Sequence, residues 1–86
     1  MKIVAQHQPR ETTLRLQGDV IGAWVEEFRR SCDTARASGG PVVVDLGDVG
    51  FVDGNGVVLL RMLAEAGVSL VNASRFVVEQ LKAHGR

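Results

Sequence analysis

The segment Asp53-Gly54-Asn55-Gly56 carries the residue types best suited to chemistry in this 86-residue chain. It follows the apolar pair Phe51-Val52 and precedes the apolar run Val57-Val58-Leu59-Leu60. A turn of this kind opening a helix gathers unpaired backbone N–H groups beside an acid. Such a spot can hold an anion, receive a partner or present a phosphorylated side chain. The specific anion and metal chemistries fail there residue by residue. A calcium loop counted from Asp53 wants a glutamate at its twelfth position, where Ala64 stands. A dinucleotide turn wants a third glycine where Leu59 stands, and a phosphate loop wants Gly-Lys-Ser/Thr, which is absent. Asp45, Asp48 and Asp53 are near enough in sequence to raise one another's pKa if they meet. Acids at strand ends are more often solvated or used to cap turns.

Other reactive side chains are scattered. Ser31, Ser38, Ser69 and Ser74 fall in helix, loop, strand and cap contexts, and none sits in a nucleophile elbow. His7 and His84 stand at opposite ends and read as solvated surface residues, with no His/Cys/carboxylate cluster at metal-ligand spacing. Cys32 is the one cysteine, so a disulfide within the chain is excluded, and it reads as a small buried hydrophobe. No catalytic set is complete, so the residues point away from an enzyme and toward no metal or cofactor. Ten basic and ten acidic side chains cancel. Nucleic-acid binding needs a basic face to release counterions, and anionic membrane needs one too, so neither partner is expected. No run approaches the roughly 18 apolar residues of a membrane span, and the start of the chain lacks the apolar stretch of a signal peptide. Direct membrane insertion is therefore not expected, and the cytoplasm is the simplest location.

The elements that must position the turn follow from periodicity. Ile3-Val4-Ala5 reads as a short strand broken by Pro9. Thr12-Thr13-Leu14-Arg15-Leu16-Gln17 alternates as a half-buried strand does. Ile21, Trp24, Val25, Phe28, Cys32 and Ala35 form a helical stripe. At this spacing Trp24 reads as core. Ser38-Gly39-Gly40-Pro41 stops that helix. Val42-Val43-Val44 is a continuous β-branched run, expected to be covered on both faces of a parallel sheet. Gly54 to Ala66 reads as a helix with Val57, Leu60, Leu63 and Ala64 on one face and Gly67 as its stop. A hairpin through Asn55-Gly56 competes with this, but the following Met62-Leu63-Ala64-Glu65-Ala66 favours helix. Val68 to Val71 is a last buried strand, and Ser74 caps a final helix containing Phe76, Val77, Gln80 and Leu81. The fold class is α/β in one domain, residues 1–86, with a small mixed β-sheet in the order β-β-α-β-α-β-α.

The block from Pro41 to Leu81 resembles the STAS family of sulfate transporters and anti-sigma-factor antagonists. Its signature is a buried strand ending in an acid, a short connector, then apolar-apolar-Asp-Ser/Thr-x-Gly opening an apolar helix. Val42 to Asp45, Gly47-Asp48-Val49 and Phe51 to Val57 take those places, and Leu14 to Asp19 resembles the strand and Gly-acid turn upstream. The resemblance implies a non-enzymatic interaction module whose partner-binding residues are Asp53, Gly54, Asn55, Gly56 and Val57. It implies a protein partner of one of two kinds: an anti-sigma factor/serine kinase, or the ATPase of an ABC-type lipid transporter for which the chain is a cytoplasmic adaptor. A small nucleotide- or anion-binding domain is the third reading.

Two departures stand out. The family's phosphoacceptor Ser/Thr falls at Gly54, which has no hydroxyl, and Asn55 has none either, so a phosphate switch at that position is lost. The usual final strand and helix are missing after Leu81, which would leave a sheet edge open to pairing and makes a homodimer through that edge an expectation. Gly54 and Gly56 are expected to loosen the turn, and Asn55-Gly56 to deamidate readily.

Overall fold

A computed structural model describes residues 1–83; His84 lies outside the described residues. The elements follow the expected order: β1 (Lys2–His7), β2 (Thr12–Gln17), α1 (Ala23–Ala37), β3 (Val42–Asp48), α2 (Gly54–Glu65), β4 (Ser69–Val71) and α3 (Arg75–Ala83). The strands form one sheet in the order β1-β2-β3-β4. β1 and β2 are an antiparallel hairpin, and the β2–β3 and β3–β4 pairs are parallel, as helical connections require. β1 outruns its expected Ile3–Ala5 limits because its register pairs Gln6 with Thr13 and His7 with Thr12. Pro9 sits in the turn, which is closed by the Gln8 N–H donating to the Glu11 carbonyl at 2.8 Å.

Both helical crossovers step the sheet in the same direction, so α1 and α2 lie on one face. Thr12, Leu14 and Leu16 of β2 and Val42, Val44 and Leu46 of β3 point into that face and are buried. Phe28, Cys32 and Ala35 of α1, Val57, Leu60 and Leu63 of α2, and Val77 of α3 cover them. The opposite face carries Thr13, Arg15, Gln17, Val43 and Asp45, all half-buried or exposed. This corrects the expectation that Val42-Val43-Val44 is covered on both sides: Val43 is only half-buried. β4 is shorter than its apolar run, with Val68 buried before it and Ser69 exposed within it.

The α1 stripe is displaced as well. Trp24 is 44% exposed and Ile21 precedes the helix, so burial on this face begins at a half-buried Val25 and is complete only from Phe28. Ala64, expected on the buried face of α2, is exposed, and Leu59 is buried instead. The stops behave as the sequence implies. Gly39 and Gly40 take positive φ after α1, and Gly67 (φ 99°) ends α2. The Ser74 hydroxyl accepts from the Val77 N–H at 3.2 Å.

Two side-chain contacts fix α3 to the rest of the fold. The Gln80 amide meets both backbone groups of Val52, accepting from its N–H at 3.0 Å and donating to its carbonyl at 2.7 Å. Arg61 of α2 donates through Nη1 to the Leu81 carbonyl at 2.8 Å.

Cys32 is fully buried, and burial pushes its thiol up to about 12, with the neighbouring Asp33 charge adding to the rise and Arg36 opposing it. A thiolate is therefore negligible at neutral pH. Native protein should react with a thiol reagent only at the rate of global opening, and denaturant should release full reactivity. Fast labelling of the native protein would contradict this packing.

Candidate functional site

The helix entrance is built around one carboxylate. Asp53 takes extended backbone (φ −79°, ψ 177°) and is the N-cap of α2, its Oδ1 accepting from the Gly56 N–H at 2.8 Å. Its Oδ2 accepts from the Gly22 N–H, also at 2.8 Å, 31 residues away in sequence. Gly22 is itself the N-cap position of α1 and has no side chain to cap with. A single side chain thus satisfies orphan donors where both long helices begin. The backbone continues the link. The Asp53 N–H donates to the Val20 carbonyl at 3.0 Å, the Val20 N–H donates to the Phe51 carbonyl at 2.9 Å, and Val20 and Val52 form an isolated parallel bridge.

Gly56 is required by close approach. Its backbone is helical and buried, and a Cβ there would lie 2.6 Å from Val52 Cγ1 and 3.0 Å from the Val20 carbonyl oxygen. The expected looseness of the turn is therefore absent at Gly56, which is held by packing and by Asp53. The same contacts oppose deamidation at Asn55-Gly56. The Gly56 nitrogen that would attack the Asn55 side chain lies in a helix with its N–H bound to a carboxylate.

The five expected contact residues divide. Gly54 and Asn55 are exposed at the first turn of α2, and Asp53 is half-buried with both oxygens occupied. Gly56 and Val57 are buried and pack in the core. The residue that faces out is Val58, 51% exposed, with Met62 one turn further on the same side of the helix. Ile21, beside Gly22, is exposed too, as are Phe51 and Phe76, whose rings stack at 6.3 Å between centroids. The helical period marks Val58 and Met62 as lying off the buried stripe. Stacking of Phe51 on Phe76 has no local sequence signal.

Asp45, Asp48 and Asp53 are each engaged separately. Asp45 accepts from the Gly47 N–H at 2.9 Å, and Asp48 lies 3.7 Å from Arg15. The position an external anion would take at the α2 N-terminus is filled by the Asp53 carboxylate, whose charge repels one. This weakens the nucleotide- or anion-binding reading. A hollow of about 320 Å³ between β1 and α1 is lined by residues that include Ile3, Leu14 and Arg30, and none of its lining residues belongs to the helix entrance. Among the described residues no group of three His, Cys, Asp or Glu side chains is placed to hold a metal, and no helix is long and apolar enough to cross a membrane.

The Gly22 N–H first, then the Gly56 N–H, hold the Asp53 carboxyl below its usual range; burial opposes them, and the Asn55 N–H adds the smallest lowering. A carboxyl depressed in the folded state stabilises fully above its unfolded pKa of about 3.9, and that contribution is lost as pH falls through the lower folded value. Asp53→Asn should cost about 1–2 kcal/mol at pH 7 in urea denaturation. The gap between wild type and variant should close as pH drops below about 4. A gap unchanged down to pH 2 would assign the loss to something other than the charge. Gly56→Ala should cost about 1–3 kcal/mol through overpacking against Val20 and Val52, read in the same denaturation series.

Known proteins share this fold. The anti-sigma factor antagonist SpoIIAA, in its unphosphorylated form, has the same fold with a TM-score of 0.68 and 27% identity, covering 94% of this chain and 82% of that one. The STAS domain of an antisigma-factor antagonist from Rhodobacter sphaeroides matches with a TM-score of 0.67 and 25% identity, over 86% of this chain and 91% of that one. A structure described as Mglu shares the fold alone, at a TM-score of 0.63 and 24% identity, over 78% of this chain and 18% of that one. No curated protein sequence matches the chain significantly. A family model, STAS_2, described as "Mlab, STAS domain", matches residues 3–85 and so includes every element of the helix entrance. The fold and this match agree, and the chain belongs to the STAS_2 family of STAS domains.

Proposed function

We infer that the helix entrance docks a protein partner without catalysing a reaction and without a cofactor, in the cytoplasm. One observation carries this reading. Of the exposed large apolar side chains, Ile21, Phe51, Val58, Met62 and Phe76 all sit on segments that meet around Asp53. Ile21 adjoins Gly22, Phe51 lies two residues before the cap, Val58 and Met62 line the outer side of α2, and Phe76 rests on Phe51. Exposed apolar groups concentrated on one rigid feature mark an interaction surface more than scattered ones do. Asp53 itself acts from behind, holding Gly54 and Asn55 in place for the partner. The likeness to an anti-sigma factor antagonist supports a regulatory partner of the anti-sigma factor/serine kinase kind.

A second reading rests on Gly54. A surface without a hydroxyl at the phosphoacceptor position suits a subunit that stays docked, since nothing there can be switched by phosphate. An adaptor held on the ATPase of an ABC-type lipid transporter fits that requirement.

The test is affinity purification from the source cell with wild type, Val58→Asp and Met62→Asp. Both positions are exposed, so each variant should retain stability within about 0.5 kcal/mol. Each should lose the partner that wild type retains, and the identity of that partner, kinase or transporter ATPase, separates the two readings. Equal recovery of every specific partner by all three forms would remove this surface from consideration.

A further inference from the structure

The bare face of the sheet has a pattern that fits a second copy of itself. Cross-strand registers place Val4 opposite Arg15, Arg15 opposite Asp45, and Asp45 opposite Val71. These four residues make one row across all four strands, reading apolar, positive, negative, apolar. The next row is Gln6, Thr13, Val43 and Ser69, polar at both ends and β-branched in the middle. Val4, Thr13, Val43, Asp45 and Val71 are half-buried by their neighbours alone, and burial of the opposite face shows that α1 and α2 pack on the other side.

Both rows are palindromic in character. A two-fold axis running along the strands between β2 and β3 reverses the strand order of the partner. Each Arg15 then stands over the partner copy's Asp45, each Val4 over its Val71, and each Thr13 over its Val43. Such a match is what an isologous interface requires, and two twisted sheets pack face to face in this aligned manner. Arg15 leans toward Asp48 at 3.7 Å with its side chain half exposed, and Asp45 uses only Oδ1, on the Gly47 N–H. One carboxylate oxygen of Asp45 and the terminal guanidinium nitrogens of Arg15 are left without a hydrogen-bond partner among the described residues.

We propose that this sheet face is a self-association surface, on which two copies of the chain pack as an isologous dimer. The valines and Thr13 supply apolar contact, and the Arg15/Asp45 pair sets the register and excludes the other sheet orientations. The face of four short strands lies at the small end of specific interfaces, so the dimer is weak, with dissociation on the order of tens of micromolar. The helix entrance lies at the end of the strands and stays free in this dimer.

The experiment is sedimentation equilibrium on the full chain from micromolar to several hundred micromolar, with circular dichroism to confirm folding. Wild type should associate. Arg15→Glu and Asp45→Lys alone should each bind themselves at least about tenfold more weakly, because each sets like charges over like. An equimolar mixture of the two variants should associate as wild type does, since the acids of one then lie over the bases of the other. The double variant Arg15→Glu/Asp45→Lys keeps an opposite-sign pair within the sheet and should also associate, which covers the case of a single variant that fails to fold. In methyl spectra of wild type, Val4, Val43 and Val71 should shift with concentration while Val58 does not. A wild type that stays monomeric throughout, a mixture no more associated than its components, or shifts confined to Val58 would each overturn the proposal.

Discussion

The two hydrogen bonds of the Asp53 carboxylate hold the two halves of this fold in one geometry. One oxygen closes the first turn of α2 and the other fixes the backbone at the start of α1. Both helices leave the sheet at the same end, and parallel topology brings their N-termini side by side there. Two adjacent N-termini make a region of positive potential with unpaired donors. In many proteins such a region is filled by a phosphate or a cofactor; here it is filled from within. Internal satisfaction makes the entrance rigid and frees its outer rim to be apolar.

That division of labour separates positioning from contact. The polar residues of the motif are turned inward or used on backbone, and Gly56 lets α2 approach Val20 and Val52 closely enough for the bonds to form. The exposed apolar side chains lie one step outside the motif, Val58 and Met62 on the helix and Phe51 with Phe76 beside it, and the proposed docking assigns contact to them. An interaction surface of this kind has no need of a reactive group. Gly54 leaves the first turn of α2 without a hydroxyl at that position.

Much of this was legible in the sequence because it is local. Alternation in Thr12 to Gln17, the glycine stops after both long helices and the Ser74 cap all operate within a few residues, and all appear as read. The errors arise where tertiary geometry decides. Val42-Val43-Val44 has the composition of a doubly covered strand, but two crossovers stepping the same way leave one face bare. Trp24 fits the helical stripe of α1, yet it precedes the part of that stripe that meets the sheet. Ala64 fits the helical stripe of α2, yet it is exposed and Leu59 takes its place in the core. The bond from Asp53 to Gly22 joins residues 31 apart and has no pattern in the chain.

The Gln80 clamp has a consequence for aggregation. Val52 uses one side of its backbone segment to bridge Val20, while its own N–H and carbonyl point the other way, as in any strand. In a larger sheet a further strand would meet them, and left bare they would be a template for a foreign chain. The Gln80 amide offers one acceptor and one donor at the spacing of a peptide group, and both are bonded. One side chain carried by a helix serves as a surrogate rung and leaves neither backbone group of Val52 free to pair with a foreign strand. Glutamate would not serve at this position, because its ionised side chain has no hydrogen to give the Val52 carbonyl.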